Sequence, residues 1–238
     1  IIAYLFAGGE STAATARSIT FPNTASVAPL EASTSHDRTG YDFGTGDFTI
    51  ECWFKYGDNS SNILVDKRTS SNTTDVVLYI DNNNAAFFQG GSNRITSYNL
   101  SKQEWYHLAL VRSSGTTKMY VNGIFQGSYA DTTDYDSTAF HIGGEDNGAN
   151  CLNGSISNLR VVKGTAVYTS SFRPPTEPLT NITNTVLLCC NNSSITGTTV
   201  GNIQEGSSGA GAAASTDSPF DDPAGYVFGE SESESVIK

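Results

Sequence analysis

Gly46-Asp47-Phe48-Thr49-Ile50-Glu51-Cys52-Trp53-Phe54-Lys55-Tyr56 alternates between two kinds of side chain. Phe48, Ile50, Cys52 and Phe54 fall on one side, with Thr49, Glu51, Trp53 and Lys55 on the other. A strand repeats every two residues, so this stretch predicts an antiparallel strand with one face in a core. Working outward, Asn62 to Asp66, Asp75 to Asp81, Ala85 to Gln89, Trp105 to Arg112, Thr138 to Ile142, Ser155 to Val162 and Thr185 to Cys190 read as further strands. Clusters of Gly, Asn, Asp and Ser separate them at the spacing of a β-sandwich. Lys118 to Gln126 carries the sharpest local signal, Asn122-Gly123 between two β-rich runs. Both central residues of a type I′ hairpin need positive φ, which Asn and Gly accept. No segment carries a convincing helical period.

The composition agrees. Of 238 residues only 16% are charged, and Lys+Arg number 13 against 24 Asp+Glu. Long amphipathic helices need more Glu, Lys, Leu and Ala than this. A net charge of −11 offers no basic stripe for a phosphate backbone, which argues against nucleic-acid binding. No apolar run approaches a membrane span, so membrane insertion is not expected. The chain begins Ile1-Ile2-Ala3-Tyr4-Leu5-Phe6, without Met or a charged leader, and reads as a piece of a longer protein.

Three regions are expected. Residues 1–16 read as a closing strand plus a small-residue linker, 17–191 as the sandwich, and 192–238 as a Ser/Gly/Ala-rich acidic linker leading to another module. Seven acids and one base lie between Glu205 and Lys238, so that tail holds −6 of the charge. The strands Ser18 to Phe21 and Thr185 to Cys190 are expected to pair and close the sandwich. The end segments Ile1 to Phe6 and Tyr226 to Phe228 are expected to pack on neighbouring modules, leaving Ala16 to Asn192 able to fold alone. The four cysteines, Cys52, Cys151, Cys189 and Cys190, form no metal-binding pattern and read as free thiols in small strand positions. Cys189 and Cys190 are adjacent, and on a strand they point to opposite faces. A disulfide stays open as an alternative with no placement.

Four pieces then fall in register: Gly46 to Phe54, Trp105-Tyr106-His107-Leu108-Ala109-Leu110-Val111-Arg112, Lys118 to Gly123, and Leu152-Asn153-Gly154-Ser155-Ile156-Ser157-Asn158-Leu159-Arg160. In order and spacing they resemble the laminin-G-like, concanavalin A-like lectin domains, over about three quarters of the chain. The resemblance implies an all-β, two-sheet antiparallel jelly roll. Val162-Lys163-Gly164-Thr165-Ala166-Val167-Tyr168-Thr169 with Phe172-Arg173-Pro174-Pro175 is similar to the version in phage virion proteins, cyanophages above all. It implies a non-enzymatic structural or adhesion module on a tail fibre, tail-associated or capsid-surface protein. Its partners would be other virion subunits, copies of itself, and a host-surface glycan. A secreted or cell-surface bacterial adhesin with protein partners is the second reading, and a glycan-active enzyme the third.

The enzyme reading meets an obstacle in the carboxylates. Glucanases of this fold class place paired acids on one strand face, and none of the ten glutamates here has Asp two positions later. His36, His107 and His141 form no HExxH and no H-x-H, and His107 reads as a hydrogen-bonded structural residue. Trp53 and Trp105 read as packing residues rather than sugar platforms. Tyr41, Tyr98, Tyr129 and Tyr135 sit in or beside turn-rich segments and are the candidate ligand contacts. Gly143-Gly144-Glu145-Asp146-Asn147-Gly148-Ala149-Asn150 admits two readings. It is a turn, or a Ca²⁺ loop similar in placement to that of pentraxins, with Glu145 and Asp146 as carboxylate ligands.

Overall fold

The computed structural model of the protein describes residues 17–22, 30–69, 72–81, 83, 85–145, 149–206 and 211–220. Its strands begin with β1 (Ser18–Phe21), β2 (Leu30–Ala32), β3 (Phe48–Tyr56), β4 (Ser61–Asp66), β5 (Val76–Asp81), β6 (Ala85–Gly90), β7 (Asn93–Asn99) and β8 (Tyr106–Ser113). They continue with β9 (Thr116–Val121), β10 (Ile124–Ala130), β11 (His141–Ile142), β12 (Gly154–Lys163), β13 (Thr185–Cys189), β14 (Thr198–Val200), β15 (Ile203–Glu205) and β16 (Ala213–Ser215). The single helical element among the described residues is a 3-10 turn, Thr39–Tyr41.

Two antiparallel sheets enclose one core. The larger runs β10-β9-β8-β3-β12-β1-β16, with β13 also on β12 and β14 on β13. The smaller runs β15-β2-β11-β4-β5-β6-β7. β3 lies at the heart of the larger sheet, between β8 and β12. Its inner residues Phe48, Ile50, Cys52 and Phe54 are fully buried and meet Leu78, Ile80 and Phe88 of the opposite sheet in one apolar cluster. At about 25 cal/mol per Å² of apolar surface, such side chains contribute roughly 2 kcal/mol each.

The register of β12 carries one irregularity with consequences. Ser157 pairs with Trp53 and Arg160 with Glu51, so an extra residue sits between them. Asn158 takes φ 52° there, which shifts the alternation so that Ile156, Leu159 and Val161 all face the core. β12 is ten residues long, and its edge away from β3 is shared. β1 pairs with its first half, Ile19 opposite Ile156, and β13 with its second, Leu159 opposite Cys189. The expected pairing of Ser18 to Phe21 with Thr185 to Cys190 is therefore corrected. Both strands lie in one sheet, end to end along β12, because each is too short to cover that edge alone.

The linker reading of the chain after residue 191 is corrected for its described part. β14 pairs with β13, β15 with β2, and β16 with β1. Main-chain N–H and C=O groups extend an edge whatever the side chains, so Ala213-Ala214-Ser215 can add a strand. Side chains then anchor the segment. Ile203 and Phe220 are buried, Phe220 sits edge-on to Trp53 with centroids 5.8 Å apart, and Asp217 pairs with Lys55. Asp217 also accepts the Trp105 indole N–H at 3.3 Å, while its carbonyl accepts the Ser18 hydroxyl at 2.6 Å. Ile1 to Phe6 and Tyr226 to Phe228 lie outside the described residues.

Two outcomes follow from these contacts. A chain ending at Asn192 loses the burial of Ile203 and Phe220 and the edge pairing, and is expected to be less stable by about 3 kcal/mol or more than one ending at Phe220. Comparing denaturant midpoints of the two fragments measures this. At the hairpin, Asn122 and Gly123 have φ of 48° and 71°, and a Cβ on Gly123 would fall 1.9 Å from the Phe172 carbonyl oxygen. Gly123→Ala therefore has to displace the backbone of a neighbouring segment as well as strain φ. It is expected to cost more than 1 kcal/mol or so, read as a lower melting temperature.

Candidate functional site

The turn between β4 and β5 and the segment entering β11 meet at one end of the sandwich around a cleft of about 580 Å³. Thr69, Asn72 and Thr74 line one side, and Asp134, Asp136 and Thr138 the other. Asn72 organises its turn: the Asn72 N–H donates to the Thr69 hydroxyl at 3.0 Å, and its Oδ1 accepts the Thr74 N–H at 3.1 Å. Asn72 Nδ2 then donates across the cleft to Asp136 Oδ1 at 2.8 Å. On the facing segment, exposure alternates. Asp134 and Asp136 point out while Tyr135 and Ser137 point in, the period-2 pattern of extended chain.

Behind Ser137, which also lines the cleft, lies a buried ion pair. Lys67 Nζ lies 3.2 Å from the Asp75 carboxylate, donates to the Ser137 carbonyl at 2.5 Å, and sits 4.8 Å from the Phe43 ring centroid. Asp75 also accepts the Val76 and Ser137 N–H groups at 2.8 and 3.1 Å. Burial pulls the Lys67 ammonium below its ordinary range and lifts the Asp75 carboxyl above its own, each partner opposing the other's shift. Such a pair adds little net stability, but it fixes both walls, because Ser137 of one wall bonds to Lys67 and Asp75 beneath the other. The cleft itself presents hydroxyl, amide and carboxylate groups to solvent.

A second polar cluster lies on the outer face of the larger sheet, and it is sealed. Glu51 is fully buried. Its Oε1 accepts Arg160 Nε and Nη2 at 2.9 and 2.6 Å, and its Oε2 accepts the Tyr168 hydroxyl at 2.8 Å and lies 3.2 Å from His107 Nε2. Tyr168 stacks on Phe172, and both rings stand edge-on to His107. Burial opposes the Glu51 charge, yet His107 and Arg160 together hold its carboxyl below the usual range. A carboxylate covered in this way has no path to substrate.

A family model described as the concanavalin A-like lectin/glucanases superfamily, of laminin-G type, matches residues 23–167, more than half the chain. The chain belongs to that superfamily. No curated protein matches it in sequence. Among solved structures it is similar to a heptameric SAP-like pentraxin from Limulus polyphemus, at 18% identity and a TM-score of 0.51, covering 65% of this chain and 78% of that one. It is also similar to a "putative carbohydrate binding protein" from Bacteroides ovatus, at 18% identity and a TM-score of 0.57. There 84% of this chain covers 58% of the other. Mouse laminin alpha1 domains LG4-5 match at 16% identity and a TM-score of 0.47, covering 65% of this chain and 44% of that one. At 18% identity the likeness to the first two shows the fold alone.

The jelly-roll expectation thus stands, while the individual residues divide. Tyr135 is fully buried and is corrected from a ligand contact to a core residue, whereas Tyr41, also mostly buried, lines a separate hollow of about 300 Å³ with Arg38 and Val186. The Tyr135 hydroxyl donates to Asp131 Oδ2 at 2.9 Å. The turn-rich segment around Tyr135 does line the cleft, but through its neighbours Asp134 and Asp136. Tyr98 is 43% exposed on β7, and Tyr129 is half-buried on β10 with the Arg94 guanidinium 4.5 Å over its ring. Neither borders the cleft. Glu145 accepts Arg68 Nη2 at 3.0 Å and Asn150 Nδ2 at 2.8 Å, and Arg68 also grips Asp66 with two nitrogens. Asp146 lies outside the described residues, among which no three His, Cys, Asp or Glu side chains gather to hold a metal. Of the two expected calcium carboxylates, the described one, Glu145, is paired with a guanidinium. His107 is structural, bonded to Glu51. Asn72, Thr74 and Asp136 went unnoticed in the sequence because Ser, Thr, Asn and Asp are ordinary turn formers there.

The Glu51 cluster generates an acid-sensitivity prediction. Its folded carboxyl lies below 4.5, the ordinary value, so its contribution is complete above that pH and is lost as pH falls through the folded value. Glu51→Ala leaves Arg160 buried without its counter-charge and is expected to cost about 3–5 kcal/mol at neutral pH. Chemical denaturation of both proteins between neutral pH and pH ~3 checks this, the difference shrinking toward the acid end.

Proposed function

We propose that this chain is a non-catalytic carbohydrate-binding module displayed on a phage particle, with the Asn72/Asp134/Asp136 cleft as its glycan contact. The observation that carries the reading is the cleft itself, found in a chain of lectin-type fold. Its exposed groups are hydroxyls, amides and carboxylates, which exchange hydrogen bonds with sugar hydroxyls, and its walls are fixed before any ligand arrives. The non-catalytic part rests on the carboxylates: Glu51 is sealed beneath Tyr168 and Phe172, and no Glu-x-Asp pair exists. The phage part rests on Val162 to Thr169 and Phe172 to Pro175, whose resemblance is to virion proteins. On a particle the module would contact neighbouring virion subunits, including copies of itself, and present the cleft to a host-surface glycan.

Glycan-array binding tests the cleft. Asp134→Ala/Asp136→Ala is expected to weaken binding at least tenfold, about 1.4 kcal/mol, with the melting temperature preserved because both side chains are exposed. Unchanged binding by a folded double variant places the glycan elsewhere. Release of oligosaccharides from algal or cyanobacterial polysaccharide by the purified chain refutes the non-catalytic reading. Peptides of the chain in purified virions support the phage reading, and their recovery only from a bacterial envelope fraction supports a cell-surface adhesin.

A further inference from the structure

Along a regular strand, Cys189 and Cys190 would point to opposite faces. Instead both are buried, and their sulfurs lie 3.7 Å apart. The reason is a single backbone conformation. Cys190 has φ 58°, in the left-handed region, which turns its side chain back beside that of Cys189 where β13 ends. The Asn158 N–H, at the bulge of β12, donates to the Cys190 carbonyl at 3.1 Å and holds that turn. A β-forming residue rarely adopts such a conformation, and here it brings two thiols together.

We propose that Cys189 and Cys190 form an oxidisable pair that closes to a vicinal disulfide when the chain meets a low-molecular-weight disulfide. One cysteine loses its proton and attacks a sulfur of the reagent, releasing one reagent thiol and forming a mixed disulfide. The other cysteine then attacks its neighbour's sulfur and releases the second reagent thiol. One S–S bond breaks and one forms, and two electrons and two protons pass to the reagent. Burial raises the Cys189 thiol well above its ordinary range, so exchange proceeds through opening of the β13–β14 edge rather than in the closed fold. Neighbouring Cα atoms stand about 3.8 Å apart, short of the usual disulfide span of about 4.4–6.8 Å, so the bond is strained and readily reduced. It forms a reversible clamp where β13 hands the chain on toward β14. Cys52, fully buried on β3 and close enough to Cys190 to interact with it electrostatically, is the competing partner.

The experiment incubates the full chain with oxidised glutathione in denaturant below the unfolding transition, alkylates the remaining thiols, and maps the digest by mass. The expected result is loss of two alkylatable thiols and of two hydrogens from the one peptide holding Cys189 and Cys190, restored by mild reductant. Cys190→Ser is expected to stop at a mixed disulfide on Cys189. Persistence of both thiols overturns the proposal, as does a cross-link from Cys52 or a glutathione adduct that never closes in the wild-type chain. If the Ser variant fails to fold, the wild-type map decides by itself.

Discussion

A carboxylate with no water around it has to find hydrogen-bond donors, and Glu51 finds them in three separate parts of the chain. Arg160 comes from β12, His107 from β8, and Tyr168 from the segment following β12. Removing an ion from water costs several kcal/mol even after relaxation, so all three elements are committed to their positions together. Because Tyr168 must reach Glu51, the segment after β12 crosses the outer face of the larger sheet. Phe172 follows it down onto Tyr120 and His107, and Ala166 and Tyr168 close over Ala109 and Val111. One sheet face of this lectin-type sandwich is therefore occupied by its own chain.

The C-terminal part of the described chain completes that cover at the other end of the face. β16 adds to β1, Asp217 reaches Lys55 and Trp105, and Phe220 lies against Trp53. The Lys55 ammonium also stands 5.3 Å from the Trp105 ring centroid. Both tryptophans that would suit sugar stacking are thus engaged within the protein. Polar side chains stay exposed around the cleft lined by Thr69 and Asp136, where loops meet and side chains need not serve a core. There the Lys67–Asp75 pair holds the walls of a polar cleft.

The alternation of β3 and the Asn122-Gly123 turn were legible in the sequence because both depend on neighbours two residues away or nearer. So were the packing role of Trp53 and the hydrogen-bonded, structural role of His107. The bulge at Asn158 was not, since an extra residue in a strand reveals itself only against the partner strand. The same limit explains Cys189 and Cys190, whose convergence depends on the left-handed backbone of Cys190. Tyr135 shows it at the site: the turn-rich segment was found, but which of its side chains face the cleft depends on how that segment meets Lys67 and Asp75.

By itself the sequence determined the class: strands of period two, a tight hairpin, few charges, and four motifs in order, enough for a two-sheet jelly roll. These are local properties, and strand periodicity is a local consequence of backbone geometry. Tertiary structure decided which edges the short strands complete, that a Ser/Gly/Ala-rich segment belongs to the sheets, and which polar residues share a cleft. Those outcomes depend on main-chain hydrogen bonds and buried charges whose partners lie far apart in sequence, 109 residues in the case of Arg160 and Glu51. No window along the chain contains both members of such a pair, so only the folded molecule brings them together.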